Sequence, residues 1–387
     1  MARAKSSAAV LTPRALNRAL LARQHLLQRA QLTVPQLLEH LVGLQAQAPN
    51  PPYYGLWSRL EGFRHEALSG LVQKRKVVRL ALMRSTIHLV TARDALRLRP
   101  LVQPVLERGL KGNHGRRLVG VDLEAVAQAG RALLEERPRT LSELGEALAP
   151  QFPRGAPESL AMAVRCLAPL VQVPPRGLWG VSGGAVHTTA EAWLGRAPEA
   201  TLTLDALVLR YLGAFGPASV KDVQTWCGLT RLDAVLERLR PRLAVFHDAQ
   251  GRELFDLPEA PRPPEDAPAP PRLLAEWDNV LLSHAERSRI ARAEDLKVKV
   301  FTQNGIVPGT VLLDGFVAGT WRLVRERAGT TLRIETFGPL SRRDRGPLGE
   351  EAERLLAFAA GDAPRTQVQF VRHAGEAVPS GRGVALR

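Results

Sequence analysis

The sequence predicts an α+β protein made of tandem winged helix-turn-helix modules and a C-terminal small β-sheet or partial barrel. Three observations predict this class: apolar residues at helical spacing followed by short strands, a proline-rich run, and a strand-rich region after that run. The 387-residue chain is 45% hydrophobic and 24% charged. This composition is typical of globular proteins, and the length allows several domains.

The N-terminal module, residues 1–120, matches the winged-helix plan only in part. Apolar residues recur at helical spacing over residues 16–28, and Thr33 is expected to cap a second helix over residues 34–44.

The second module, residues 121–200, carries clear helix start signals. Asp122 and Thr140 are N-cap residues, Glu143 completes a capping box, and Pro157 opens a third helix. Strands are predicted at residues 171–174, 178–181 and 187–189.

The third module, residues 201–257, repeats the plan most clearly. Helices are predicted at residues 205–215, 219–226 and 231–239, and strands at 243–247 and 253–257. Three helices followed by a hairpin indicate a winged helix, and their recurrence indicates tandem modules. A generic α-helical domain is the alternative.

Residues 258–271 contain seven prolines and are predicted to be an extended linker. The C-terminal domain, residues 272–387, is predicted to be β-rich with one helix at 347–360. Its predicted strands are 298–302, 310–313, 316–324, 331–336 and 367–371.

The positive charge is concentrated in one third of the chain. Residues 1–120 contain 20 basic and 5 acidic side chains, whereas residues 121–387 contain 33 of each. A concentrated positive field attracts a polyanion, and nucleic acid is the obvious candidate. Of the 53 basic residues 46 are arginine, which favours phosphate contacts but also fits a GC-rich genome.

Several other classes lack support in the sequence. The two cysteines, Cys166 and Cys227, form no disulfide framework or metal motif, and no P-loop or hydrolase triad is present. No apolar run reaches the roughly 18 residues of a membrane span. We therefore expect a soluble, cytoplasmic protein that needs no cofactor.

The segment from Gln45 to Arg59 is unusual because two glutamines precede three prolines and three aromatic residues. Pro49 forces an extended backbone, in which alternate side chains share a face. Gln45 and Gln47 could then point at one ligand. The alternative is that both amides only satisfy carbonyl groups at a helix C-terminus.

The chain resembles the AlkZ/YcaQ family of bacterial DNA glycosylases over nearly its whole length. The resemblance rests on three segments: residues 45–59, residues 84–91 (Arg-Ser-Thr-Ile-His-Leu-Val-Thr) and residues 276–284 (Glu-Trp-Asp-Asn-Val-Leu-Leu-Ser-His). It implies tandem winged helices, a C-terminal β-domain, and excision of alkylated purines or unhooking of interstrand crosslinks. Gln45-Ala46-Gln47 matches the glutamine, any residue, glutamine motif of the AlkZ-like branch, which implies that Gln45 and Gln47 are catalytic.

An amide cannot act as a general base near neutral pH. A purine alkylated at N7 or N3 is cationic, however, and departs as a neutral base without an acid. The expected roles are therefore to hold a water molecule and to stabilise an oxocarbenium ion with oriented dipoles. This reasoning predicts a monofunctional enzyme, and the resemblance adds protection against a genotoxic natural product.

DNA is expected to contact basic residues of the first module and of the segment after His284. The candidates are Lys74, Arg75, Lys76, Arg79, Arg84, Arg287 and Arg289, and solvated surface positions or local ion pairs are the alternatives. Asn304 precedes Gly305 between two apolar runs, which predicts a hairpin. That hairpin would either probe the duplex or merely connect two strands.

The expected partner is double-stranded DNA with alkylated or crosslinked purines, bound by a monomer. The competing interpretation is a non-catalytic winged-helix protein, either a transcription regulator or a damage binder. The sequence disfavours a regulator because it has no visible effector domain or heptad segment for dimerisation.

Overall fold

The computed structural model describes residues 9–296, 300–301 and 305–372. Its α-helices, in chain order, are α1 (Pro13–Arg23), α2 (Val34–His40), α3 (Pro51–Trp57), α4 (His65–Gln73), α5 (Ala92–Leu101), α6 (Gln103–His114), α7 (Leu123–Glu136), α8 (Leu141–Leu148), α9 (Pro157–Leu167), α10 (Ala190–Leu194), α11 (Leu204–Phe215), α12 (Val220–Cys227), α13 (Asp233–Leu239), α14 (Asn279–Leu282), α15 (Ala293–Asp295) and α16 (Arg342–Ala360).

The strands, in the same order, are β1 (Val10–Leu11), β2 (Leu44–Gln45), β3 (Val77–Ala81), β4 (Ile87–Thr91), β5 (Arg139–Thr140), β6 (Leu170–Gln172), β7 (Val186–Thr189), β8 (Ala244–Asp248), β9 (Glu253–Asp256), β10 (Arg272–Leu274), β11 (Gly309–Leu313), β12 (Phe316–Glu326), β13 (Gly329–Thr336) and β14 (Thr366–Arg372). The mixed helices and sheets confirm the α+β class.

The same element order occurs three times. In the first case it is α2, β2, α3, α4 and the hairpin β3–β4, and β2 pairs with β4. In the second it is α7, β5, α8, α9 and β6–β7, and β5 pairs with β7. In the third it is α11, α12, α13 and the hairpin β8–β9, and Ala218, which lies between α11 and α12, forms a β-bridge with Phe255 of β9. We interpret each set as a winged helix.

The hairpin β3–β4 completes the first module. The sequence predicts only its second strand, because Ile87, Leu89 and Val90 are typical of a buried strand and give His88 a structural role. All five residues of each strand are buried, so the alternation of polar and apolar residues that marks a half-exposed strand is missing. Both strands lie inside a six-stranded sheet of order β2-β4-β3-β6-β7-β5, and helices α2, α4 and α5 pack against them. The first two modules therefore share one sheet, and β1 joins the third module beside β8.

Most predicted caps are present, but several boundaries differ. Thr33 and Thr140 form capping boxes, and Asp122 accepts hydrogen bonds from two helix N–H groups. Helix α1 ends at Arg23, not at residue 28, and α2 ends at His40, not at 44. The predicted strand at 178–181 is a turn, and α16 begins before residue 347.

The proline-rich residues 258–271 contain no helix or strand. Part of this segment is bound to α1, because Arg14 and Arg18 donate hydrogen bonds to the carbonyl oxygens of Glu265 (2.8 Å) and Ala267 (2.7 Å). The described residues up to Ala269, together with Trp277–Ile290, form one compact unit. Residues 270–276 and the described residues after Ile290 form the second.

The second unit contains an open five-stranded sheet of order β10-β11-β12-β13-β14, not a barrel. Neighbouring strands are antiparallel except for the parallel pair β13–β14. The predicted hairpin tip, including Asn304, lies outside the described residues, and so does most of the predicted strand at 298–302. None of the described helices is long and apolar enough to cross a membrane.

Candidate active site

Gln45 and Gln47 leave the first module on a short strand. Helix α2 is stopped by Val42 and Gly43, which adopt left-handed φ angles of 55° and 91°. A Cβ at Gly43 would lie 2.5 Å from Val90 Cγ1 and 3.0 Å from the Leu89 oxygen, so only glycine fits there. Strand β2 then pairs Gln45 with His88 of β4. The extended exit is as predicted, although it begins earlier.

Both carboxamides contact the turn that joins β3 to β4. Gln45 Oε1 accepts a hydrogen bond from Arg84 Nη2 at 2.6 Å, and Gln47 Oε1 accepts one from the Ile87 N–H at 2.9 Å. Gln45 is 7% exposed and Gln47 is exposed. Neither Nε2 atom is bonded to a described residue, so both amides keep donors, and one acceptor lone pair each, for a ligand.

Arg79 of β3 holds the backbone of this segment. Its Nη2 donates to the Ala46 carbonyl at 2.6 Å, its Nη1 to the Ala48 carbonyl at 3.3 Å, and its Nε to Gln172 Oε1 at 3.2 Å. Arg79 is 1% exposed, and burial lowers its pKa to about 10, with Arg176 adding to the effect. The carbonyls on either side of Gln47 are thus fixed by one guanidinium.

Arg84 bridges the site to the third module. Its Nη1 donates to the Trp226 carbonyl while its Nη2 holds Gln45. Burial of the guanidinium lowers the pKa of Arg84 to about 10. Burial, followed by the Arg84 charge, also lowers the pKa of His88 to about 3. His88 is therefore neutral at physiological pH, as its expected structural role requires.

The site is cationic. No carboxylate in the described part of the chain is hydrogen-bonded to Arg79, Arg84 or either glutamine. No group of three or more His, Cys, Asp or Glu within residues 9–296, 300–301 and 305–372 is arranged to hold a metal ion. The chemistry available is that of amide dipoles beside fixed positive charge.

A distant segment also holds the start of β2. Asn279 Nδ2 donates to the Gly43 carbonyl at 2.8 Å. The preceding Asp278 forms a buried bidentate pair with Arg59, with distances of 2.9 and 2.7 Å. These contacts place Asp278 and Asn279, at the start of α14, against Arg59 and the backbone that leads into β2.

Comparison with known proteins agrees with this architecture. The profile of the family described as DNA glycosylase AlkZ-like matches residues 38–358. The chain belongs to the AlkZ-like DNA glycosylase family. The solved structure of Streptomyces sahachiroi DNA glycosylase AlkZ superimposes with a TM-score of 0.77 at 21% identity, covering 94% of this chain and 100% of that one. This likeness concerns the fold.

A curated relative from Streptomyces sahachiroi is named an interstrand DNA cross-link repair glycosylase. This AlkZ-like chain is 27% identical to it over an alignment of 149 residues, and the match covers 35% of this chain. The match spans 38% of the relative's length.

The predicted DNA-binding residues of the AlkZ-like chain fall into two groups. Lys74, Arg75 and Lys76 are exposed after α4. Arg75 also stacks over Trp193, with its guanidinium carbon 4.0 Å from the ring centroid, and donates to the Trp193 carbonyl. The two lysines are the candidates best placed to meet a phosphate.

Arg79, Arg84, Arg287 and Arg289 instead hold protein groups. Arg289 is 3% exposed and donates to the Pro217 carbonyl at 2.7 Å, and half-buried Arg287 donates to the Leu281 carbonyl at 2.9 Å. Burial lowers the pKa of both side chains. The position of Arg79 and Arg289 argues against phosphate contact, because neither guanidinium is accessible.

Sequence reasoning missed the role of Arg79 and Asn279 as supports. For Arg79 a signal was present, because it lies among Val77, Val78, Leu80 and Ala81, a run typical of a buried strand. For Asn279 the local sequence gave none, since its partner is 236 residues away.

Proposed function

We propose that this AlkZ-like protein is a monofunctional DNA glycosylase that hydrolyses the N-glycosidic bond of cationic N7- or N3-alkylated purines in duplex DNA. Gln45 and Gln47 are the proposed catalytic residues. The observation that carries the proposal is that both carboxamides are anchored on one turn, through Arg84 Nη2 and the Ile87 N–H. Family membership supplies the reaction class.

The proposed chemistry needs only what these two amides offer. Each Oε1 has one lone pair occupied by a protein donor, and the other can accept a hydrogen bond from water. The N-glycosidic bond breaks and its electron pair leaves with the cationic purine, while the amide dipoles stabilise the positive charge left on the sugar. The held water molecule then adds to the sugar carbon and loses its proton to the surrounding water. No acid is required, because a cationic purine departs as a neutral base.

The helix that precedes each hairpin supports an enzyme over a sequence-specific regulator. In a helix-turn-helix regulator this helix reads base edges in the major groove. Here α4 contains no Lys or Arg, Arg165 of α9 donates to the Ser85 carbonyl, and Arg238 of α13 pairs with Asp205. These helices therefore offer no free arginine to read a guanine.

Two finer assignments rest on relatives. Repair of interstrand crosslinks is proposed because the curated relative bears that name. Protection against a genotoxic natural product is proposed because Gln45-Ala46-Gln47 resembles the motif of the AlkZ-like branch. We propose that the protein acts as a monomer on such lesions.

The test is excision from a duplex with one N7-methylguanine, followed by alkali and a denaturing gel. Gln45→Ala and Gln47→Ala should each lower the single-turnover rate by about 10- to 1000-fold, the effect of losing one preorganised group. Gln128→Ala, which removes an exposed glutamine of α7, should excise at the parental rate. Parental activity in either site variant would refute the assignment, and an unbroken strand with the parental protein would favour the regulator or the damage binder.

A further inference from the structure

The turn between β3 and β4 has an unusual backbone. Arg84 and Ser85 are consecutive non-glycine residues with left-handed φ angles of 55° and 61°. Such residues are energetically unfavourable and persist only where the surroundings fix them. Strained residues of this kind cluster at functional sites, so the contacts that enforce the turn indicate its purpose.

The turn is enforced by hydrogen bonds within it and from outside it. Ser85 N–H donates to the Leu82 carbonyl at 3.0 Å, and Thr86 N–H to the Met83 carbonyl at 3.1 Å. Arg165 of α9 donates to the Ser85 carbonyl at 3.4 Å.

Two glycines let neighbouring backbone approach the same turn. A Cβ at Gly228 would lie 3.3 Å from both the nitrogen and the Cα of Arg84, and one at Gly109 would lie 3.4 Å from Ser85 Oγ. Gly109 of α6 therefore lies close to Ser85, and Gly228, which caps α12, lies close to Arg84. Both contacts restrict the turn to its strained conformation.

This conformation places two hydrogen-bond donors, Arg84 Nη2 and the Ile87 N–H, beside the glutamines. It directs Arg84 Nη2 at Gln45 Oε1 and exposes the Ile87 N–H to Gln47 Oε1. A guanidinium has no acceptor, so it fixes which way the Gln45 amide faces: the flipped amide would place its NH₂ group against another donor. Oε1 is therefore fixed at Arg84 Nη2, and its second lone pair remains available to accept a hydrogen bond from water.

We propose that Arg84 is a positioning residue that fixes the orientation of the Gln45 carboxamide for catalysis, and that it does not bind a DNA phosphate. The proposal rests on the proposed function, because it presupposes that Gln45 acts in excision. The guanidinium is already committed to Gln45 and to the Trp226 carbonyl.

The experiment is a double-mutant cycle read by two measurements, the single-turnover excision of N7-methylguanine and the Kd for duplex DNA as a function of salt. Arg84→Met should slow excision by about 10- to 100-fold, the effect of a misplaced catalytic group, and leave Kd and its salt dependence unchanged. In a Gln45→Ala background, Arg84→Met should slow excision no further, because the group that it positions is gone. Arg238→Met, at an exposed arginine of α13, is the control and should match the parental protein.

Arg84→Lys keeps the experiment decisive if the methionine variant does not fold. An ammonium is a point donor without the planar fork, so it cannot hold Gln45 and Trp226 as the guanidinium does, and a smaller loss is expected that again disappears in the Gln45→Ala background. Multiplicative effects of the two substitutions would overturn the proposal. So would a weaker Kd with a salt slope reduced by about 0.9, the signature of one lost phosphate contact, at an unchanged rate.

The results for Gln45→Ala and Arg84→Met distinguish a failure of the proposed function from a failure of the role of Arg84. Parental excision by Gln45→Ala would refute the proposed function. Slow excision by Gln45→Ala with parental excision by Arg84→Met would refute only the role of Arg84.

Discussion

Replacing Arg79 by methionine should slow excision without weakening the attraction between protein and DNA. The guanidinium holds the carbonyls of Ala46 and Ala48, which flank Gln47. Methionine keeps the apolar stem of the side chain and removes every donor. The variant therefore releases the backbone of the glutamine segment while the strand β3 remains packed.

The effect on stability follows from two opposing terms. Hydrogen bonds from a charged donor contribute about 1.5–3 kcal/mol each, and the shortest of the three, to the Ala46 oxygen, is 2.6 Å. Against this, burial lowers the pKa of Arg79 to about 10, which reflects a desolvation cost of the charged side chain that methionine avoids. The remaining loss is the unpaired Ala46 carbonyl, so unfolding should become easier by about 1–3 kcal/mol.

The effect on catalysis should be of similar size, in free energy, to the effect on stability. A displacement of about 1 Å in a positioned group costs about 100-fold in rate, so single-turnover excision of N7-methylguanine should fall by about 10- to 100-fold. Kd for duplex DNA should keep its salt dependence.

Lys74→Met and Lys76→Met provide the opposite case. Both lysines are exposed, and loss of a phosphate contact there should reduce the salt slope by about 0.9 at an unchanged rate on saturating DNA. If Arg79→Met behaves like these lysine variants, with parental excision and a reduced slope, the inference that Arg79 positions the glutamine segment is refuted.

Two further predictions concern stability. Asp278→Asn should lower the free energy of unfolding by about 3–5 kcal/mol, because it leaves the buried guanidinium of Arg59 without its counter-charge. The control Asp205→Asn, which removes the charge of a more exposed ion pair with Arg238, should cost no more than about 1 kcal/mol. Similar denaturant midpoints for the two variants would contradict this prediction. His88 has a folded pKa of about 3 against 6.5, so below pH 6.5 the unfolded chain binds a proton that the folded state does not, and stability falls as pH drops toward 3. His88→Asn should reduce the slope of unfolding free energy against pH by about 1.4 kcal/mol per unit near pH 5, whereas an unchanged slope would show that His88 is protonated in the folded protein.

Features set by local chemistry were predictable from the sequence. The capping boxes at Thr33 and Thr140 depend on residues three positions apart. Helical spacing, the proline-rich run and the strand-rich region after it predict the fold class, and the family resemblance, carried by three short segments, implies the same fold. The end of α2 was misplaced because Val42 adopts a left-handed φ, which a β-branched residue rarely does.

Features set by tertiary contact were not predictable in the same way. A basic run containing Lys74, Lys76 and Arg79 looks uniform in sequence, yet the lysines are exposed and Arg79 is 1% exposed. The difference arises because β3 pairs with β6 across the module boundary, which places Gln172 opposite Arg79. The charge of the first module is therefore partly internal, and it overstates the basic surface offered to DNA.

If the proposed function is correct, the groups that contact the two glutamines determine which lesions the protein can excise. Among the described residues, the donors to Gln45, to Gln47 and to the Ala46 carbonyl are arginine and backbone groups, and no carboxylate is hydrogen-bonded to either glutamine. These contacts therefore supply no acid to protonate a departing base. A neutral purine needs such a proton, whereas an N7- or N3-alkylated purine already carries the charge that makes it leave. Selectivity for cationic lesions then follows from the reactivity of the lesion and needs no tightly fitting pocket. The protein must only hold two amides in place, which Arg79 does through the Ala46 and Ala48 carbonyls and Arg84 through Gln45 Oε1.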